Sequence, residues 1–168
     1  MSYPSDAYPL DRYPPDRYDG GTGEPSARVR RMDATPELFN ATGSASYLAT
    51  GASTNGQFGL YRWDMDGPLT GPGPHFHRSL SESFFVLSGA MRLYDGRGWV
   101  DAGPGDFMFV PEGGIHGFRN ESGEPASMLI LFAPGAPREG YFEGLAELAA
   151  RTEQERAEFM TFHDTFWV

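Results

Sequence analysis

Three of the four histidines in this 168-residue chain are His75, His77 and His116, and they fall in one glycine- and proline-rich stretch. Successive side chains on a strand point to opposite faces, so residues i and i+2 share one. The His75 and His77 imidazoles can therefore converge on one point. Glu82 follows after four intervening residues, enough for a turn before a strand expected over 84–87. His116 opens another strand, expected over 115–120. Two nearby imidazoles, a carboxylate and a distant imidazole form a mixed nitrogen and oxygen donor set for one divalent transition metal ion. Fe, Mn, Ni, Co, Cu and Zn all suit such a set, and affinity order by itself favours Cu or Zn.

The elements that must hold these residues read as short strands. Runs at 44–50, 57–65, 91–95, 99–102, 107–111 and 126–133 are separated by Gly, Pro, Asn and Asp turns. Residues 28–32 read as a first strand or edge, and residues 33–37 as a turn that opens a helical turn through Phe39. Such spacing implies an all-β barrel or sandwich. Phe84 and Val86 have the parity of Glu82 and are expected to line a cavity beside it. Phe76, Phe84, Phe118 and Phe132, with Tyr61, Trp63 and Met108, are candidate walls of a dry substrate pocket, and each alone would serve equally as core. Together they favour an aromatic or polyketide-like ligand over a sugar. Asn120 reads as a turn residue, and Arg62, Arg78, Arg92 and Arg119 as solvated cations.

The two ends differ from this middle. Tyr3, Tyr8, Tyr13 and Tyr18 recur every five residues with Asp6, Asp11, Asp16 and prolines between them. Proline blocks ladder and helix hydrogen bonds, so residues 1–26 are expected to form a disordered arm; the regular tyrosines also suit a partner-binding segment. Residues 27–136 are the barrel. In residues 137–168, Tyr141, Leu145 and Leu148 recur at helical spacing, and residues 153–162 place Phe159 and Phe162 on one stripe. Two helices packed on the barrel follow, and the aromatic residues of 163–168 are expected to dock on it or across a dimer.

The pattern resembles the paired motifs of the cupin superfamily. The first runs from His75 through His77 and Glu82 to Gly89. The second runs Gly105, Pro111, Gly113, His116, Asn120, matching G-x5-P-x-G-x2-H-x3-N throughout. One departure is Leu69, where the family usually has glycine; Gly67, Gly71 and Gly73 are the candidates to supply that turn. The resemblance implies a double-stranded β-helix, or jelly-roll barrel, with His75, His77, Glu82 and His116 as metal ligands. It also implies a homodimer. The concrete activity it suggests is a dioxygenase similar to flavonol-cleaving cupins, with Glu82 as ligand or as the base that takes a substrate hydroxyl proton. A redox-neutral cyclase or isomerase and a non-catalytic ligand-binding module are the alternatives.

Composition narrows the field further. The chain has no cysteine and no lysine, and its 13 cationic residues are all arginine. Thiolate metal sites, cysteine nucleophiles and lysine Schiff bases are thereby excluded. A net charge of −10 argues against nucleic-acid binding. No apolar run is long enough for a membrane span, and no secretory signal is apparent after Ser2, so a cytoplasmic enzyme with a small-molecule substrate is expected.

Overall fold

The computed structural model describes residue 13 and residues 15–168. The chain divides into two compact units, Met1–Arg31 and Met32–Val168. In the first, the described residues form no helix or strand. The Tyr18 hydroxyl there donates to the Thr22 carbonyl at 2.5 Å. Tyr3, Tyr8, Asp6 and Asp11 of the repeated arm lie outside the described residues.

The second unit is a β-barrel followed by helices. Its strands are β1 (Leu38–Asn40), β2 (Gly43–Ala49), β3 (Gly59–Met65), β4 (His75–Phe76), β5 (Ser81–Ser88), β6 (Met91–Tyr94), β7 (Trp99–Ala102), β8 (Phe107–Val110), β9 (Gly117–Arg119) and β10 (Ala126–Ala133). Helices α1 (Arg138–Gly144) and α2 (Glu153–Phe162) follow, joined by a 3-10 segment over Leu145–Ala150, and β11 (Phe166–Trp167) comes last. Residues 28–32 form no strand, and Phe39 lies in β1 rather than in a helical turn. β1 is held instead by its antiparallel pairing with β2 across a two-residue turn at 41–42, in the register Leu38 opposite Ala45 and Asn40 opposite Gly43.

Two layers enclose the core. One is a six-stranded sheet in the order β1-β2-β3-β10-β5-β8. The other joins the sheet β7-β6-β9 to the pair β11-β4 through paired backbone hydrogen bonds of 2.8 Å between His75 and His116. Strand alternation builds the interior. Tyr61 from β3, Phe84 and Val86 from β5, and Met128, Ile130 and Phe132 from β10 are all buried. Each such side chain is worth about 1.5–3 kcal/mol relative to exposure. Two glycines set critical turns. A Cβ on Gly89, at φ +76°, would meet the Pro125 carbonyl oxygen at 2.4 Å. Gly71, at φ +117°, lies against the Phe118 carbonyl, while Leu69 is exposed. Gly71 thus serves the loop where the usual motif glycine is replaced.

Helix α2 begins with a reciprocal cap. Glu155 N–H donates to Thr152 Oγ1 at 3.3 Å, and Thr152 N–H donates to the Glu155 carboxylate at 2.8 Å. Phe159 packs on Tyr141 with ring centroids 5.9 Å apart, whereas Phe162 is exposed. The end of the chain turns back onto the barrel, and β11 pairs with β4 in the register Phe166 opposite Phe76 and Trp167 opposite His75.

Candidate metal centre and cavity

β4 begins the histidine strand and β5 carries Glu82 at its second residue, facing inwards by strand parity. His116 immediately precedes β9 and is fixed by its bridge to His75. The four residues are at most 4% exposed, and one donor atom from each lies within 4.8 Å of the others. Metal bonds of about 2.1 Å place ligand atoms roughly 3–4.2 Å apart in an octahedral or tetrahedral shell, so the cluster needs little contraction. Donor types, burial and spacing are all consistent with a cupin metal site.

The ring orientations carry the same message. His75 Nδ1 lies 2.9 Å from the Gly73 carbonyl, His116 Nδ1 lies 2.9 Å from that of Gly114, and His77 Nδ1 lies 2.5 Å from that of Asp164. A carbonyl only accepts, so each Nδ1 carries a proton and each Nε2 is left for the centre. His77 Nε2 and His116 Nε2 sit 3.0 and 2.7 Å from one Glu82 oxygen. Burial alone would raise the Glu82 pKa, but the hydrogen bonds from His116 and His77 outweigh it and hold the carboxyl well below its usual range. The same opposition runs at His116, where burial disfavours the charge and the Glu82 contact overcomes it, raising the pKa. His75 has no such partner contact. Burial, followed by the nearby His116, lowers its pKa to about 4, so it is a neutral donor at pH 7.

The cluster opens on a cavity of about 280 Å³ to which His75 and Glu82 contribute directly. Of the seven expected wall residues, Trp63, Phe118 and Phe132 line it and the other four do not. Phe76 alternates with the two inward histidines, so it points away and stacks on Phe166 at 5.2 Å. Phe84 has the right parity but is wholly buried, with its ring 5.8 Å from His116 and 5.6 Å from Phe118. Tyr61 is covered by Tyr47 and Phe142, and its hydroxyl donates to Glu139 at 2.6 Å. Met108, opposite Phe84 in the register, packs against the core. Among the four arginines expected at the surface, Arg62 and Arg92 pair with carboxylates. Arg78 and Arg119 lie over the Phe166 and Trp99 rings. Asn120 organises the following turn, donating to Glu124 O at 2.8 Å and accepting from Ser122 N–H at 3.1 Å.

The C-terminal segment supplies what sequence reasoning missed. Arg138, Tyr141, Phe142, Leu145 and Trp167 all line the cavity. Trp167 stands over His75 at 5.3 Å. Asp164 ties the segment down: its carboxylate accepts from Ser79 N–H at 2.8 Å, Ser79 Oγ at 2.7 Å and Arg78 N–H at 3.0 Å. The aromatic weight of residues 163–168 was the available signal; nothing in the sequence singled out Arg138.

Comparison with known proteins agrees with this geometry. Residues 65–132 match the family model described as "Cupin domain". The barrel is a double-stranded β-helix, and residues 65–132 within it carry a cupin domain. Over 61 residues, 36% of this chain, it is 31% identical to quercetin 2,3-dioxygenase of Bacillus subtilis (strain 168), a match spanning only 18% of that enzyme. Among solved structures, it is similar to the polyketide cyclase RemF from Streptomyces resistomycificus. That likeness has 28% identity and a TM-score of 0.51, and covers 64% of this chain and 78% of RemF. A "predicted oxalate decarboxylase" from Thermotoga maritima shares the fold at 20% identity and TM-score 0.57, covering 64% of this chain and 99% of its own. No helix among the described residues is long and apolar enough to cross a membrane.

Proposed function

We propose that the protein is a metal-dependent enzyme acting on a small oxygenated aromatic or polyketide-like molecule, with His75, His77, Glu82 and His116 as the metal ligands. The observation that carries this reading is the convergence of three imidazole Nε2 atoms and one carboxylate on a buried point that opens on an aromatic-walled cavity. When bound, the ion supplies Lewis acidity that makes an enolic or phenolic hydroxyl easier to ionise. The protein's own residues do the rest. Trp63, Phe118 and Phe132 hold a planar ligand and exclude water. The Glu82 carboxylate accepts the hydroxyl proton.

A dioxygenase is the leading form of this activity, supported by the likeness to quercetin 2,3-dioxygenase. A redox-neutral cyclase is the second, supported by the likeness to RemF over most of that protein's length. Flavonol and polyphenol probes should be tested with metal-reconstituted protein in air and under strict anaerobiosis. Turnover that stops without oxygen supports the dioxygenase, and turnover that persists assigns the cyclase class. Binding without turnover would overturn the catalytic reading and leave a ligand-binding module. Glu82→Gln should lower turnover by at least about 100-fold if Glu82 moves the proton.

The expected homodimer also has a surface on which it can be tested. β8 is a free sheet edge, and the outward Phe107 and Phe109, with Phe85 opposite Phe107, leave an exposed apolar face. A second copy related by a two-fold axis would cover an edge of this kind.

A further inference from the structure

Arg138 is the one charged side chain in the second unit that is buried without a carboxylate partner among the described residues. It is 4% exposed and stands at the start of α1, where it lines the cavity together with His75 and Glu82. Its Nη1 donates to the His163 carbonyl at 2.6 Å. Its Nε is buried and has no hydrogen-bond partner, and no hydrogen bond involves Nη2. The carboxylates whose charge reaches it are already committed: Glu82 to two histidines, and Asp164 to Arg78 and Ser79. The guanidinium lies 4.1 Å from the Tyr141 ring centroid, 4.9 Å from Phe132 and 5.7 Å from Phe142.

Aromatic faces offset part of the cost of burying a cation, but they satisfy none of its in-plane N–H groups. A buried charge is ordinarily paired, and a cation left unpaired in a ligand cavity implies that its counter-charge arrives with the ligand. The free edge of the guanidinium is the Nε and Nη2 side. Its parallel N–H groups match the two oxygens of a carboxylate. Trp63, Phe132, Phe142 and Trp167 surround the same space and suit a ring attached to that group.

We propose that Arg138 is an anion-binding residue of this cavity, and that the ligand is an aromatic carboxylate whose acidic group pairs with the Nε and Nη2 edge. The proposal deepens the functional reading above by naming the substrate class. It uses the same cavity but does not depend on a bound metal.

The test compares benzoate with benzamide, which has the same shape and no charge. Both are titrated into chelator-treated and metal-reconstituted full-length protein, with fluorescence of the cavity-lining Trp63 and Trp167 as the readout. In the metal-free protein, benzoate should bind at least about tenfold tighter than benzamide. Arg138→Gln should bring the two to parity, with the fold verified by circular dichroism. Arg138→Lys keeps the charge but not the fork, and should reduce the preference; it is the fallback should the glutamine variant not fold. Equal binding of the two probes to wild-type protein, no benzoate binding at millimolar concentration, or an undiminished preference in either variant would overturn the proposal. Failure to take up metal would sink the metalloenzyme reading while leaving the metal-free comparison intact.

Discussion

Asp164→Ala probes how the end of the chain supports the centre. Asp164 holds two things at once. Its carboxylate accepts three donors from Arg78 and Ser79 in the turn after the histidine strand, and its carbonyl accepts the His77 Nδ1 proton. The side chain is half-buried, so its hydrogen bonds compete with water. About 0.5–1 kcal/mol for each of three bonds gives roughly 2 kcal/mol. Asp164 also sits at φ +52°, where alanine costs about 1 kcal/mol more than asparagine or aspartate. The alanine variant should therefore lose about 3 kcal/mol in urea unfolding, and Asp164→Asn about half of that. With the carbonyl no longer held, His77 loses its orienting partner, and metal affinity by competitive chelator titration should fall about 10–100-fold. Destabilisation of the alanine variant with wild-type metal affinity would refute the coupling between the strap and His77. Equal losses for alanine and asparagine would refute the contribution from backbone conformation.

Metal-free protein should also lose stability as pH falls from about 6.5 towards 4. His75 titrates near 4 when folded and near 6.5 when unfolded, so the unfolded chain binds more protons in that window. Its contribution is complete above the unfolded pKa and declines by about 1.4 kcal/mol per pH unit below it. The raised His116 contributes in the opposite sense, but its contribution is complete below 6.5 and is lost only as pH rises through its folded value. Glu82 is held low, and its contribution is lost only below its unfolded value of 4.5. Urea midpoints at about pH 7 and pH 5 should differ in wild type and differ less in His75→Ala; a flat wild-type profile would contradict the assignment. At the β8 edge, Phe107→Asp with Phe109→Asp should yield monomers by light scattering with unchanged metal content, whereas an unaltered oligomer would place any interface elsewhere.

The histidine pair was legible because strand alternation is a strict two-residue rule, and Glu82 followed from its spacing to them. The same rule excludes Phe76, which lies between two inward residues. Parity alone could not separate Phe84 and Tyr61 from true cavity walls. Both face inwards, and only tertiary packing shows them buried behind other side chains. β10 was readable to the residue because strands on both sides bury its apolar run. β1 was not, because pairing with β2 rather than composition makes Leu38–Asn40 a strand. Arg138 was invisible because nothing in the helical pattern read over 137–168 singles it out. Its burial arises only when α1 closes over the barrel and lays the guanidinium on Phe132, Tyr141 and Phe142.

Metal content by mass spectrometry on untagged protein, measured beside His75→Ala and His116→Ala, tests the centre most directly. The arrangement of three Nε2 atoms around the Glu82 carboxylate predicts close to one first-row transition ion per wild-type chain, lost in both variants while the fold persists. Wild-type protein that purifies without metal and regains none on titration would contradict the account and leave a cupin barrel whose buried histidines serve only to hold Glu82.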